Sequence, residues 1–124
     1  MLNTNVPAWF EIPTHDLDRA QAFYENALGV QLTRQAFGGG EMAIFPGGGK
    51  PNSSGALVRN AQCEPSIQGS TVYLSLVDIR PALERIAHLG GDVFVPCTEL
   101  PDGIGYFAQI RDSEGNRVGL WSPA

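Results

Sequence analysis

Apolar and polar positions follow the same order twice along the chain. From Trp9 to Gly29, the alternating segment WFEIP precedes a stretch with apolar residues at three- and four-residue spacing. This pattern predicts a short strand followed by an amphipathic helix. Asp16 is the expected N-cap of this helix, and Gly29 its end. A similar segment begins at Thr71, 62 positions after Trp9, and ends at Gly91. The expected apolar stripe of the first helix is Leu17, Ala20, Phe23, Tyr24, Ala27 and Leu28.

The segments between and after the two helices complete the repeat. VQLTRQAF and EMAIF flank a glycine turn and predict a hairpin, and SGALVRN predicts a fourth strand. The same order recurs after a polar connector. The predicted strand TVYLSLV is followed by a helix over residues 79–89, which starts after Asp78, and then by the strands DVFVPC, GYFAQIRD and RVGLWS. DSEGN, between the last two strands, has the composition of a tight turn.

The doubled order predicts an α+β protein of two βαβββ modules. We expect one domain over residues 1–124, with module 1 at about 5–60 and module 2 at about 69–124. Four strands and one helix leave one sheet face uncovered, so the modules are expected to form a curled mixed sheet around a cleft.

Composition and charge exclude several classes of partner. The formal net charge of −5 disfavours nucleic acid and anionic membrane surfaces, because no basic patch is available to meet phosphates. No apolar run approaches the roughly 20 residues that span a bilayer, and the N-terminus has no signal-peptide pattern. Cys63 and Cys97 are widely separated, which indicates free thiols. A cytoplasmic protein is therefore expected.

Two motifs carry a family resemblance. DLDRAQAFYENALG, at the first helix, and DSEGNRVGLW, at the last turn and strand, occur within the paired strand-helix units. With this order and spacing, the chain resembles the vicinal oxygen chelate superfamily, which contains glyoxalase I, extradiol dioxygenases and bleomycin-resistance proteins. The resemblance implies a glyoxalase-like fold around a cleft and commonly a homodimer, with modules paired within one chain or exchanged between two.

The resemblance also identifies where a metal would be held. Metal-dependent members place His, Glu or Gln on the first and last strands of both modules. The matching positions here are Trp9, Thr71 and Gly119, and the 62-residue offset gives Leu57 as the fourth. None of these side chains is a suitable ligand for Zn, Fe, Ni or Mn. The sequence therefore predicts no metal and no cofactor at the usual place.

The candidate ligand-binding residues are Trp9, Glu11, Tyr73 and Trp121. Strand alternation places Trp9 and Glu11 on one face, opposite the helix, and the offset makes Tyr73 the counterpart of Glu11. Trp121 shares the face of Gly119. Glu11 is the candidate catalytic group, as a base or hydrogen-bond acceptor with Tyr73 as donor. A buried Glu–Tyr hydrogen bond with a purely structural role is the alternative.

Four functions are open from the sequence. The first is a metal-free protein that binds a small molecule in the cleft, as bleomycin-resistance proteins do. The second is a metal-dependent lyase, isomerase or dioxygenase with unusual ligands such as Glu11 and His15. Metal-independent acid–base catalysis through Glu11 and a structural or partner-binding dimer are the others. His15 and His88 are expected at the surface, and the glycine-rich segment 46–55 is expected to be a flexible loop or a lid rather than a phosphate loop.

Overall fold

A computed structural model describes residues 7–47 and 55–124, and its elements confirm the doubled βαβββ order. Module 1 contains β1 (Phe10–Pro13), α1 (Leu17–Leu28), β2 (Thr33–Phe37), β3 (Gly40–Ile44) and β4 (Gly55–Val58). Module 2 contains β5 (Tyr73–Ser75), α2 (Arg80–Ile86), β6 (Asp92–Glu99), β7 (Tyr106–Arg111) and β8 (Arg117–Ser122), with a short 3-10 turn at Pro101–Gly103.

Each module forms its own mixed four-stranded sheet. The strand orders are β1-β4-β3-β2 and β5-β8-β7-β6, so the two sheets have the same topology. In each, the first strand pairs in parallel with the last, and the other neighbours are antiparallel. The expected curled sheet is thus made of two sheets that no strand pairing joins among the described residues.

The ends of α1 follow the prediction, and those of α2 differ from it. Asp16 caps α1 by accepting a hydrogen bond from the backbone N–H of Arg19 at 3.0 Å, and Gly29 ends the helix with φ of 70°. The helix expected over 79–89 is shorter, because its last turn closes with i to i−3 bonds, as from Leu89 N to the Ile86 carbonyl at 3.1 Å. Ile79 occupies its N-cap position.

The two modules share one apolar core on the helix side of their sheets. Helices α1 and α2 contact each other, and Tyr24 and Ile86, both almost fully buried, belong to the same core cluster as Leu57 and Leu120. On the opposite side of both sheets, the described part of the chain has no helix. We call this side the helix-free face; it bears Trp9, Glu11, Tyr73, Gly119 and Trp121.

The DSEGN turn of module 2, residues 112–116, connects the two modules through hydrogen bonds. The Glu114 carboxylate accepts hydrogen bonds from the backbone N–H groups of His15 (2.9 Å) and Asp16 (2.8 Å), where α1 begins. It also pairs with the Arg19 guanidinium at 2.8 Å. The Asn116 side-chain amide donates to the Pro13 carbonyl at 2.8 Å. Module 2 therefore fixes the end of β1 and the start of α1.

Asp112, the first residue of the DSEGN turn, forms a buried pair with Tyr24 of α1. The Tyr24 hydroxyl donates to Asp112 Oδ2 at 2.6 Å, and both residues are almost completely buried. Burial, and then the Asp112 carboxylate, raise the pKa of Tyr24 well above its ordinary value. The phenol consequently stays protonated and acts as the donor.

Within the described residues, no helix is long and apolar enough to cross a membrane. Cys63 and Cys97 are both exposed free thiols, in agreement with the sequence.

Candidate functional site

The strand register corrects one of the four expected metal positions. Gly119 pairs with Tyr73 in module 2, and the counterpart of Tyr73 in module 1, Glu11, pairs with Ala56. Leu57 pairs instead with Ile12 and lies in the core under α1 with no exposed surface. Ala56 is therefore the counterpart of Gly119, and the assignment of Leu57 was wrong. The offset counted from β8 fails because the connections after the two helices differ in length.

The ring of Tyr73 occupies the space beside Gly119 into which a side chain at position 119 would extend. A Cβ atom built on Gly119 would lie 2.2 Å from Tyr73 Cδ1, far inside van der Waals contact. Tyr73 and Gly119 are directly paired across β5 and β8, so only the absence of a side chain lets the ring lie there. A metal-ligating side chain at position 119 is incompatible with this placement of Tyr73.

The remaining donor set does not fit a divalent metal either. The positions that hold metal in the family carry Trp9, Ala56, Thr71 and Gly119, of which only a threonine hydroxyl offers oxygen. Among the described residues, no group of three or more His, Cys, Asp or Glu side chains is placed to hold an ion. Glu11 and His15 are both exposed, and His15 lies at the start of α1.

Trp9 and Glu11 lie together at the edge of module 1. The Trp9 indole Nε1 donates to Glu11 Oε2 at 3.2 Å, as their shared strand face leads one to expect. Both residues are exposed, and Trp9 retains 41% of its surface. Glu11 is not bonded to Tyr73, so the expected direct Glu–Tyr pair does not form.

Tyr73 belongs instead to a polar network within module 2. Gln109 Nε2 donates to the Tyr73 hydroxyl at 2.7 Å, and Arg117 Nη1 donates to Gln109 Oε1 at 2.9 Å. The Arg117 guanidinium also lies 4.4 Å from the Phe94 ring centroid. The pattern of the sequence alone did not predict Gln109, Arg117 and Phe94 as residues of the site. The alternation that places Trp121 with Gly119 also places Arg117 there, whereas Gln109 reaches this face through the pairing of β7 with β8.

Aromatic rings extend this network towards the end of β8. Phe107 pairs across the strands with Trp121. The Phe107 ring lies edge-on to Tyr73, with ring centroids 6.3 Å apart. Tyr73, Phe107 and Trp121 therefore form an aromatic surface beside the polar chain, on the side of the sheet that has no helix. We call these three rings the aromatic platform.

The cleft between the modules within one chain is small. It measures about 110 Å³ and is lined by residues of β1 and β8 and by the connector, among them Glu11, Glu64 and Arg117. Small-molecule sites usually enclose roughly 300–1,000 Å³. This cavity therefore has room for only a few water molecules.

A wider groove of about 870 Å³ lies at the start of α1 and the β2–β3 hairpin. Two arginines line this groove, Arg34 and Arg59, and the Arg34 guanidinium pairs with Asp18 and, at 3.2 Å, with Glu41. This groove has no apolar or aromatic surface comparable to the platform. The segment 46–55, which was expected to be a glycine-rich loop, lies mostly outside the described residues.

The architecture defines an α+β protein with paired βαβββ modules and an aromatic helix-free face. A family model described as bleomycin resistance protein-like N-terminal matches residues 8–48. A "Glyoxylase-like domain-containing protein" from Didymella fabae is 26% identical over 109 residues, which cover 86% of this chain and 84% of that protein.

Solved structures have the same architecture along nearly their whole length. A glyoxalase/bleomycin resistance protein from Streptomyces sp. CB03234 is 27% identical, with a TM-score of 0.69 and coverage of 92% of this chain and 97% of that one. A glyoxalase/bleomycin resistance protein from Albidiferax ferrireducens T118 is 16% identical, with a TM-score of 0.70 and coverage of 93% and 96%. The family model, the glyoxylase-like relative and the solved structures all support the resemblance of this chain to the vicinal oxygen chelate superfamily.

Proposed function

We propose that this chain is a metal-free small-molecule-binding protein that holds an aromatic or apolar compound on its helix-free face. The observation that carries the proposal is the position of the Tyr73 ring against Gly119. In place of a metal-binding side chain, the protein presents the edge of an aromatic platform. The chemistry of the position is thereby changed from ion coordination to contact with an organic ring.

The exposure of this face supports a binding role. Tyr73 retains 45% of its surface and Trp9 41%, although large aromatic side chains favour burial. Exposed aromatic residues beside polar groups, as Trp9 is beside Glu11 and Tyr73 beside Gln109, are typical of a surface that another molecule covers. We propose Trp9, Glu11, Tyr73 and Trp121 as the ligand-binding residues, with Glu11 as an acceptor and the candidate base for any reaction.

A second copy of the chain would supply the missing wall of the site. Since Tyr73 is exposed and lies outside the lining of the cavity of about 110 Å³, a ligand on the platform needs another surface to exclude water. We propose a homodimer in which the two helix-free faces enclose the ligand. The exposed free thiols of Cys63 and Cys97 support a reducing, cytoplasmic location.

We expect Tyr73→Ala to weaken binding of N-phenyl-1-naphthylamine, a neutral fluorescent probe, by about tenfold, because one lost aromatic contact costs about 1–2 kcal/mol. Titration of the full chain, followed by the fluorescence of the probe, measures the affinity. Val77→Ala is the matched control, since this residue is 88% exposed and lies beyond the end of β5. Equal affinity of wild type and Tyr73→Ala, or the absence of saturable binding to wild type, would refute the proposed site.

A further inference from the structure

The polar network on the helix-free face is a chain of hydrogen bonds with one direction. It runs from Arg117 through Gln109 to the hydroxyl of Tyr73, with donor–acceptor distances of 2.9 Å and 2.7 Å. Arg117 is anchored at its other end, where Nε donates to the Ile67 carbonyl at 3.2 Å. Strands β5, β7 and β8 thus contribute one side chain each to this series of hydrogen bonds.

The chemistry of the arginine fixes this direction. A guanidinium has donors and no acceptor, so Gln109 must turn its carbonyl oxygen to Arg117. The amide NH₂ of Gln109 then faces Tyr73, and the Tyr73 oxygen accepts. The hydrogen of the Tyr73 hydroxyl is left to bond elsewhere, and among the described residues it has no acceptor.

The positive charge of Arg117, at one end of this series of hydrogen bonds, strengthens the Tyr73 hydroxyl as a donor at the other end. Within the described residues, Arg117 has no carboxylate within 4 Å; its contacts are the Ile67 carbonyl, Gln109 and the Phe94 ring. Consecutive hydrogen bonds polarise one another in the same sense. The Tyr73 hydroxyl is consequently a better donor than an isolated phenol, and it lies at the rim of the aromatic platform.

The surrounding charges favour a neutral acceptor over an anion. The carboxylates of Glu11 and Glu64 line the cleft that Arg117 also borders, and the chain carries a formal charge of −5. The negative net charge of the protein disfavours the approach of an anionic ligand. A carbonyl oxygen accepts the same hydrogen bond without this cost.

We infer that the ligand of this site is a planar aromatic compound with a carbonyl oxygen, and that Tyr73 donates a hydrogen bond to that oxygen while the ring contacts the platform. This inference rests on the proposed function, because it assigns the ligand class of the same face. Tyr73 acts both as a surface for the ring and as a hydrogen-bond donor, and Gln109 and Arg117 position that donor.

The pair 1-indanone and indane tests the inference, because the two differ by one carbonyl oxygen on nearly the same ring. Dissociation constants of both are measured by NMR titration of the full chain. Wild type is expected to bind 1-indanone about three- to tenfold more tightly than indane, the range that corresponds to one net hydrogen bond. Tyr73→Phe should remove this preference while retaining indane affinity, because the ring remains.

Two further variants separate donation by Tyr73 from a structural effect. Gln109→Glu should also remove the preference, since a carboxylate accepts from both Arg117 and Tyr73 and so consumes the free hydrogen. Tyr106→Phe, in the half-buried tyrosine next to Phe107 that packs against the core, should leave both affinities unchanged.

The possible results separate the inferred ligand class from the proposed binding face. Equal binding of 1-indanone and indane to wild type, or a preference that survives both Tyr73→Phe and Gln109→Glu, would overturn the inference and leave the proposed binding face intact. Binding of neither compound would overturn the assignment of the face as an aromatic site, and the inference with it.

Discussion

Asp112→Ala is expected to lower the free energy of unfolding by about 3–5 kcal/mol, the largest effect of any single substitution considered for this chain. The Asp112 side chain has no exposed surface. Its two oxygens accept hydrogen bonds from the Tyr24 hydroxyl, from the backbone N–H groups of Glu114 and Asn116, and from the Asn116 amide. Alanine would leave these buried donors without partners, and each such donor costs about 1–3 kcal/mol unless water reaches it.

Urea unfolding followed by circular dichroism measures this loss. Asp92→Ala is the control, because Asp92 is also an ion-paired aspartate of module 2, bonded to Arg111 at 2.5 Å, but its side chain is 60% exposed. The control should cost less than about 1 kcal/mol, as surface ion pairs do. Similar losses in the two variants would show that the Asp112 network is not a structural centre of the fold.

Glu114→Gln is expected to produce the second-largest loss, about 2–3 kcal/mol near neutral pH, and the loss should depend on pH. Burial raises the pKa of Glu114. This effect is outweighed by hydrogen bonds from the Arg19 side chain, the Asp16 backbone, Ser113 and the His15 backbone, which lower the pKa to about 2 from an ordinary value of 4.5. The charged carboxylate therefore stabilises the folded protein.

The sign of the pH dependence follows from the lowered pKa. The stabilising contribution of the Glu114 carboxylate is complete above pH 4.5. It is lost as the pH falls towards 2, where the folded protein also takes up the proton. The difference in unfolding free energy between wild type and Glu114→Gln should therefore be constant from pH 7 to about 5 and shrink below that. The exposed Asp78, whose pKa is also lowered to about 2, is present in both proteins and cancels in the difference. A difference that stays constant down to pH 2.5 would contradict this role of Glu114.

Local features of the fold could be predicted from the sequence because their physical causes are local. The α1 helix begins at the Asp16 cap and ends at Gly29 as expected, since capping and positive φ involve only neighbouring residues. The DSEGN turn was also predicted as a turn. Its role in joining the modules was not, because Glu114 contacts His15 and Arg19 across more than 90 positions of the chain.

The candidate site was predictable only where strand alternation suffices. Trp9 with Glu11, and Gly119 with Trp121, share faces as the alternation requires. Leu57 was assigned to the wrong face because a shift of one residue in register reverses the side of a side chain. The bond from Gln109 to Tyr73 depends on strand pairing, and no pattern within either segment predicts it.

The central claim is that the Tyr73 ring occupies the place of a metal-binding side chain at position 119. The most direct test is the metal content of the purified protein by elemental analysis, together with its melting temperature in the presence of chelator and of added Zn²⁺, Ni²⁺, Mn²⁺ or Fe²⁺. The account predicts far less than one transition-metal ion per chain and no change in melting temperature. A stoichiometric ion, or a melting temperature that rises with one of these metals and falls with chelator, would contradict it.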